Sequence, residues 1–191
     1  MAHGTNDTLL PHHSFTVEEY HRMGEAGLFE EQRVELLEGK IIDMSPIQAK
    51  HARIVKWLNR LLHARLSDRY IISVQDPIRL DELNEPEPDL AVLRFRTDFY
   101  GESHPRPEDV LLLIEVADTS LDKDRQVKLP LYARAGIPEV WIVNLPGQQL
   151  ECYTGPTGDG YARRTDYRAG DRPDHPLLGK LEVARIFAES Q

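Results

Sequence analysis

Val110-Leu111-Leu112-Leu113-Ile114-Glu115-Val116 is the stretch that decides the fold, an apolar run broken by one carboxylate. A run this short and this apolar reads as a central strand covered on both faces. Glu87-Pro88-Asp89-Leu90-Ala91-Val92-Leu93 has the same character, with Asp89 where the strand begins. Pro88 fixes φ and lacks an amide hydrogen, which suits the start of a strand. An ionised carboxylate is costly to take out of water unless a cation or hydrogen-bond donors compensate it. Two such strands side by side would offer a metal ion a pair of anionic oxygens on a rigid sheet, as metal-assisted hydrolysis requires.

Outward from these runs the chain alternates helices and strands. Thr16 to Glu19 fits a capping box opening a short helix that ends near Gly24 or Gly27. Arg33 to Leu37 and Lys40 to Met44 read as a hairpin turning at Glu38-Gly39. From Gln48 to about Ser67, Ile54, Val55, Leu58, Leu61, Leu62 and Leu66 recur at helical spacing and predict an amphipathic helix lying on a sheet. Tyr70 to Leu80 is strand-like, and Asp89 to Arg94 follows a proline-containing turn. Leu121 to Ala135 is helical by period and stops at Gly136, but Pro130 should start, kink or shorten it. Glu139 to Leu145 is a further strand. Gln149 to Tyr153, Tyr161 to Tyr167 and Lys180 to Val183 predict shorter ones, and Ala184 to Ala188 a last turn or helix. The order predicts one α/β domain over residues 14–188 with a mixed sheet flanked by helices, behind a flexible tail over residues 1–13.

Composition narrows the function classes. The chain has 191 residues, a formal net charge of -9 and one cysteine, Cys152. A single cysteine excludes an intramolecular disulfide framework and a cysteine-based zinc site. The negative charge argues against a broad basic surface for duplex DNA or anionic membrane, though not against a local basic lining. With no transmembrane run or secretory pattern, a cytoplasmic protein without membrane contact is expected. Neither G-x-x-x-x-G-K-[ST] nor a strand-linked G-x-G-x-x-G occurs, nor a G-x-S-x-G elbow.

The chemistry-bearing residues are few. If their strands pair, Asp89 and Glu115 can converge on one hard cation such as Mg²⁺ or Mn²⁺, with the Val116 carbonyl as a third ligand. As structural residues, Asp89 would cap a turn and Glu115 would face solvent. Glu35 alternates with Val34 and Leu36, so it either joins the acidic cluster or lies exposed on its strand. Asp124, Lys128 and Tyr132 follow at intervals of four, one stripe of a helix. That stripe is either a surface ion pair or a lysine aimed at the carboxylates. Gln75 could hydrogen-bond a substrate or water. His51 lies on the apolar side of its helix, where packing is the commoner role, and His63 reads as a surface residue.

These residues also form an ordered set of motifs that resembles a known family. The set comprises residues 15–20 (FTVEEY), 34–46 (VELLEGKIIDMSP), His51, 87–93 (EPDLAVL) and 113–120 (LIEVADTS), then Asp124, Lys128, Tyr132 and 136–144 (GIPEVWIVN). From about Phe15 to Phe187 it resembles the Uma-type family of restriction-endonuclease-like proteins, which is placed in the PD-(D/E)XK nuclease superfamily. The resemblance implies a mixed sheet flanked by helices, Asp89 as the metal-binding Asp, Glu115 as its acidic partner and Glu35 as the N-terminal acidic residue. The usual superfamily pattern has lysine two residues after the acidic residue, where this chain has Ala117. The resemblance therefore makes Lys128, on the following helix, the candidate.

A metal-dependent endonuclease acting on DNA is the expectation, with Gln75 and Tyr132 lining the site. Cutting both strands needs two sites, so a homodimer is expected. A non-catalytic binding module on the same fold, and a metal hydrolase of a smaller phosphate ester, are the alternatives.

Overall fold

The computed structural model describes residues 12–66 and 68–188. Most of the expected flexible tail lies outside these residues; His12 and His13 within them are exposed. The centre is a six-stranded mixed sheet in the order β3-β4-β5-β6-β7-β8. Its strands are β3 (Tyr70–Val74), β4 (Leu90–Arg94), β5 (Val110–Ala117), β6 (Glu139–Asn144), β7 (Gln149–Thr157) and β8 (Gly160–Tyr167). The β5–β6 pair is parallel and the other pairs are antiparallel. A parallel neighbour needs a crossover, and the helical segment between β5 and β6 supplies it.

Side-chain alternation divides the apolar residues between the two faces. Leu112, Ile114 and Val116 of β5 pack with Trp141 and Val143 of β6 against α2 (Ala49–Arg65) and α5 (Val183–Phe187). Ile54, Val55, Leu58 and Leu62 are the buried residues of α2, so its periodicity correctly marks the face that covers the sheet. Leu113 and Ala117 of β5, with Val140 and Ile142 of β6, face the other way onto Leu131 and Tyr132. Glu115 has their parity, and so does Asp89 with Ala91 and Leu93. Both carboxylates therefore belong to the second face.

The N-terminal part adds α1 (Val17–Glu25), opened by the expected capping box at Thr16, and the hairpin β1 (Val34–Leu37) with β2 (Lys40–Asp43). Glu38 and Gly39 turn that hairpin with φ of 52° and 70°. This is the primed geometry whose twist suits tightly paired strands. The hairpin forms its own sheet and touches the rest through a bridge between Leu36 and Glu85. Near the C-terminus β9 (Asp174–His175) pairs with β10 (Gly179–Lys180).

Three sequence expectations are revised. The strand begun at Tyr70 ends at Val74, because Gln75 takes a left-handed φ of 57°. Lys180 to Val183 is not one strand: β10 stops at Lys180 and Val183 opens α5. The helix over 121–135 is three pieces: α3 (Leu121–Lys123), a π turn (Asp124–Lys128) and α4 (Leu129–Arg134). Pro130 explains the interruption. It has no N–H, and in regular α geometry its ring would clash with the carbonyl four residues back. The chain widens instead, and the Leu129 N–H reaches the Asp124 carbonyl, five residues back.

The π turn is tied to the sheet through Arg125, whose guanidinium grips the buried Glu151 of β7. Asn144 Nδ2 (2.8 Å) and Tyr153 Oη (2.7 Å) also donate to Glu151. Burial would raise the Glu151 pKa, but Arg125 and the hydrogen bonds outweigh it and hold the value at about 2. A depressed carboxyl pKa contributes stability above the unfolded-state value, and that stability is lost as pH falls through the folded one. Between about pH 4.5 and pH 2 the folded protein should therefore lose ~3 kcal/mol through this residue. Urea unfolding across that range checks it: the wild type should show this loss and Glu151→Gln should not.

Candidate active site

The register brings the two opening carboxylates together. Leu90 of β4 pairs with Ile114 of β5, so Asp89 and Glu115 stand opposite each other one step further on. They line a cleft with Arg33, His51, Gln75, Glu87, Lys123, Asp124, Lys128 and residues of the 116–120 turn. Its volume of about 90 Å³ suits a hydrated cation rather than an engulfed nucleotide.

Asp89 is held by three donors. His51 Nε2 lies 2.9 Å from Oδ2, the Val116 N–H donates to Oδ2 at 2.8 Å, and Gln75 Nε2 donates to Oδ1 at 3.1 Å. Burial would raise the Asp89 pKa, but these bonds and the His51 charge bring it below the usual Asp value. His51 is raised in turn, its burial outweighed by Asp89. It reaches the cleft from the first turn of α2, so it is not the packing residue that its local pattern favours.

Glu115, 4% exposed, accepts from Lys128 Nζ at 3.0 Å and Tyr132 Oη at 2.6 Å, both on Oε1. Lys128 also lies 3.1 Å from Glu35 Oε2, and Lys123 Nζ donates to Glu35 Oε1 at 2.8 Å. Glu35 is fully buried, which removes the exposed alternative. Burial would raise its pKa, but the two lysines outweigh that and lower it. The Asp124–Lys128 stripe is likewise internal, with both residues buried and Ser120 Oγ donating to Asp124 at 2.7 Å.

Of the residues singled out from sequence, Glu35, Gln75, Asp89, Glu115, Val116, Lys128 and Tyr132 all meet here. Tyr132 requires a correction. It is fully buried and supports Glu115 from behind, so it has no surface with which to touch a substrate. Val116 lines the cleft, with its N–H committed to Asp89. Ala117, at the usual lysine position, is fully buried in the apolar layer. Sequence reasoning passed over Lys123, Glu87 and Arg33. Glu87 donates its N–H to Glu35 at 3.2 Å, and Arg33 pairs with the Glu87 carboxylate at 3.1 Å. In sequence, Lys123 is one charge of the DTSLDK segment (118–123), Glu87 stands two residues before Asp89, and Arg33 carries no signal of its own.

Lys123, Lys128 and His51 carry fewer positive charges than Glu35, Asp89, Glu115 and Asp124 have carboxyl groups. Burial, with Asp124 and Asp89 nearby, pushes Glu115 up to about 8 despite the pull of Lys128. Lys128 is raised because the surrounding carboxylates outweigh the cost of its burial. The surplus of anionic oxygen, with no thiolate among the described residues of the cleft, fits a hard divalent cation.

Comparison with known proteins gives the chain's family and a solved structure of the same fold. Residues 17–185 match the model of the Uma2 family, described as "Putative restriction endonuclease". The chain belongs to that family. Its membership supports nuclease function in general terms. The fold is shared with a crystal structure titled a putative nuclease belonging to DUF820, from Anabaena variabilis. The TM-score is 0.71 at 16% identity, covering 91% of this chain and 97% of that one. No curated protein matches the chain. Among the described residues no helix is long and apolar enough to cross a membrane.

The raised Glu115 pKa has a measurable consequence. A carboxyl whose folded pKa exceeds its unfolded value favours the fold below the unfolded value, and that advantage is lost as pH rises through the folded one. Metal-free protein should therefore lose stability between about pH 4.5 and pH 8. Denaturant titration should show Glu115→Gln removing this part of the slope.

Proposed function

We propose that the chain is a divalent-metal-dependent endonuclease that hydrolyses phosphodiester bonds in DNA. The observation that carries this reading is the placement of Asp89 and Glu115 on adjacent strands with Lys128 Nζ 3.0 Å from Glu115, in one cleft. Asp89 and Glu115 would hold Mg²⁺ or Mn²⁺, with the Val116 carbonyl as a further oxygen donor. When bound, the metal supplies Lewis-acid polarisation of the phosphate and lowers the pKa of a coordinated water.

The chain's own residues divide the remaining work. Lys128 is fixed between Glu35 and Glu115 and keeps its proton, so it acts as a donor rather than as a general base. It orients the attacking water and stabilises negative charge developing on the phosphoryl oxygens. Glu35 holds Lys128 in place, and Lys123 offsets part of the charge of Glu35. Tyr132 fixes the Glu115 carboxylate, while His51 and Gln75 fix Asp89. Gln75 and Arg33 also line the cleft, and a phosphate at its mouth could take the Gln75 donor not used by Asp89 and compete with Glu87 for Arg33. A homodimer would supply the second site that double-strand cleavage needs.

Cleavage of plasmid DNA in Mg²⁺ or Mn²⁺ tests the proposal. EDTA should abolish cleavage, and Asp89→Asn should leave none. Lys128→Met should lower the rate by ~10²–10³ with the fold intact by circular dichroism. Metal binding that Asp89→Asn abolishes, with no cleavage of DNA by wild type, would point instead to a binding module. Cleavage of model phosphodiesters without cleavage of DNA would assign a smaller substrate.

A further inference from the structure

Away from the cleft, α1, the segment before β4 and the loop before β5 each bring one metal-binding side chain to a common point. His21 comes from α1, Glu85 from the residue bridged to Leu36, and His104 from the exposed loop. Their ligand atoms all lie within 4.8 Å of one another. His21 Nε2 is 2.6 Å from Glu85 Oε1, and the two imidazoles meet edge to face with centroids 5.9 Å apart. The hollow they line shares no residue with the acidic cleft.

We propose that His21, Glu85 and His104 form a second, structural cation site that takes Zn²⁺. Two imidazoles and one carboxylate are a donor set for a borderline-soft transition metal, whereas Mg²⁺ takes oxygen donors. A histidine–glutamate hydrogen bond alone would account for His21 and Glu85 Oε1, but two further facts require more. Glu85 is 2% exposed and its Oε2 accepts no hydrogen bond among the described residues. A buried carboxylate oxygen without a donor is costly, and a cation bound at the Glu85 carboxylate lowers that cost. His104, itself exposed, converges on the same point.

The geometry needs little change. Zinc bonds of ~2.0–2.1 Å place tetrahedral ligand atoms a little over 3 Å apart, so the shared proton between His21 and Glu85 gives way to the metal with small side-chain rotations. Solvent water completes the tetrahedron on the His104 side. Arg79 lines the same hollow, and its charge is engaged by Glu82 at 3.1 Å.

Such a site would add a side-chain clamp to segments joined by backbone hydrogen bonds such as Val17 N–H to the Glu82 carbonyl and Arg79 N–H to the Pro105 carbonyl. Glu85 donates its N–H to the Leu36 carbonyl at 2.8 Å, one residue from Glu35. The clamp therefore holds Glu85, two residues before Glu87 in the segment leading to Asp89.

Zn²⁺ titration of the metal-stripped full chain by calorimetry, with Co²⁺ as a visible-absorption probe of tetrahedral coordination, tests the site. With excess Mg²⁺ present to hold the cleft, wild type and Asp89→Asn should each bind one Zn²⁺ at this second site, and the Mg²⁺ should not compete for it. His104→Ala, which alters only an exposed loop side chain, should weaken binding by at least ~10-fold, and His21→Ala/His104→Ala should abolish it. At a hundredfold excess over Kd, Zn²⁺ should raise the wild-type Tm by about 5–10 °C and leave the double variant unchanged. The proposal is overturned if no Zn²⁺ binds or if the double variant binds it as wild type does. Loss of Zn²⁺ binding in Asp89→Asn would also overturn it, since the ion would then lie in the cleft.

Discussion

A buried ammonium between two buried carboxylates is the interaction on which the site depends. Lys128 sits 3.0 Å from Glu115 and 3.1 Å from Glu35. Glu115 belongs to the central sheet and Glu35 to the separate hairpin, so this one side chain joins the two parts of the molecule electrostatically. Desolvating three ionisable groups is expensive, and the attraction between them offsets that only while all remain in place. Such a cluster is poor insurance for stability. It is better explained by the chemistry that becomes possible where anionic oxygen exceeds the available positive charge.

The backbone around Lys128 is arranged to permit this. Pro130 cannot continue a regular helix, and the resulting π turn carries Asp124, Arg125 and Lys128. After the turn, α geometry resumes, so Lys128 and Tyr132 are one turn apart and both reach Glu115 Oε1. Arg125 points away to Glu151 and anchors the widened segment to β7. A residue that looks like a helix breaker in sequence thus accompanies the irregularity from which the lysine reaches the sheet.

Much of the architecture was legible because burial and periodicity are local signals. The helix over Ala49–Arg65, the Glu38-Gly39 turn, the capping box at Thr16 and the apolar strands all follow from side-chain spacing and backbone preference. Asp89 and Glu115 stood out because a carboxylate in an apolar strand needs compensation. What compensates them was much less legible. His51 resembled a packing residue, Gln75 stood out as a partner for substrate or water rather than for Asp89, and Lys123 went unnoticed. Each acquires its role from a partner many positions away: His51 contacts Asp89 at a separation of 38 residues, and Lys123 contacts Glu35 at 88. Tyr132 shows the opposite error, since its helical spacing put it near the site without indicating that it lies behind Glu115.

By itself, the sequence determined which residues must leave water and the period at which they recur. Those constraints established the mixed α/β layering and singled out the two strand carboxylates. Tertiary structure decided which charges share the interior, because a carboxylate's cost of burial is met by whichever donors the fold brings within about 3 Å, not by its neighbours in the chain. It resolved Glu35 as internal, turned the Asp124–Lys128 stripe inward and put Tyr132 out of a substrate's reach. The spacing of Lys128 allowed either a surface ion pair or a place beside Glu115, and only the pairing of distant segments could distinguish them.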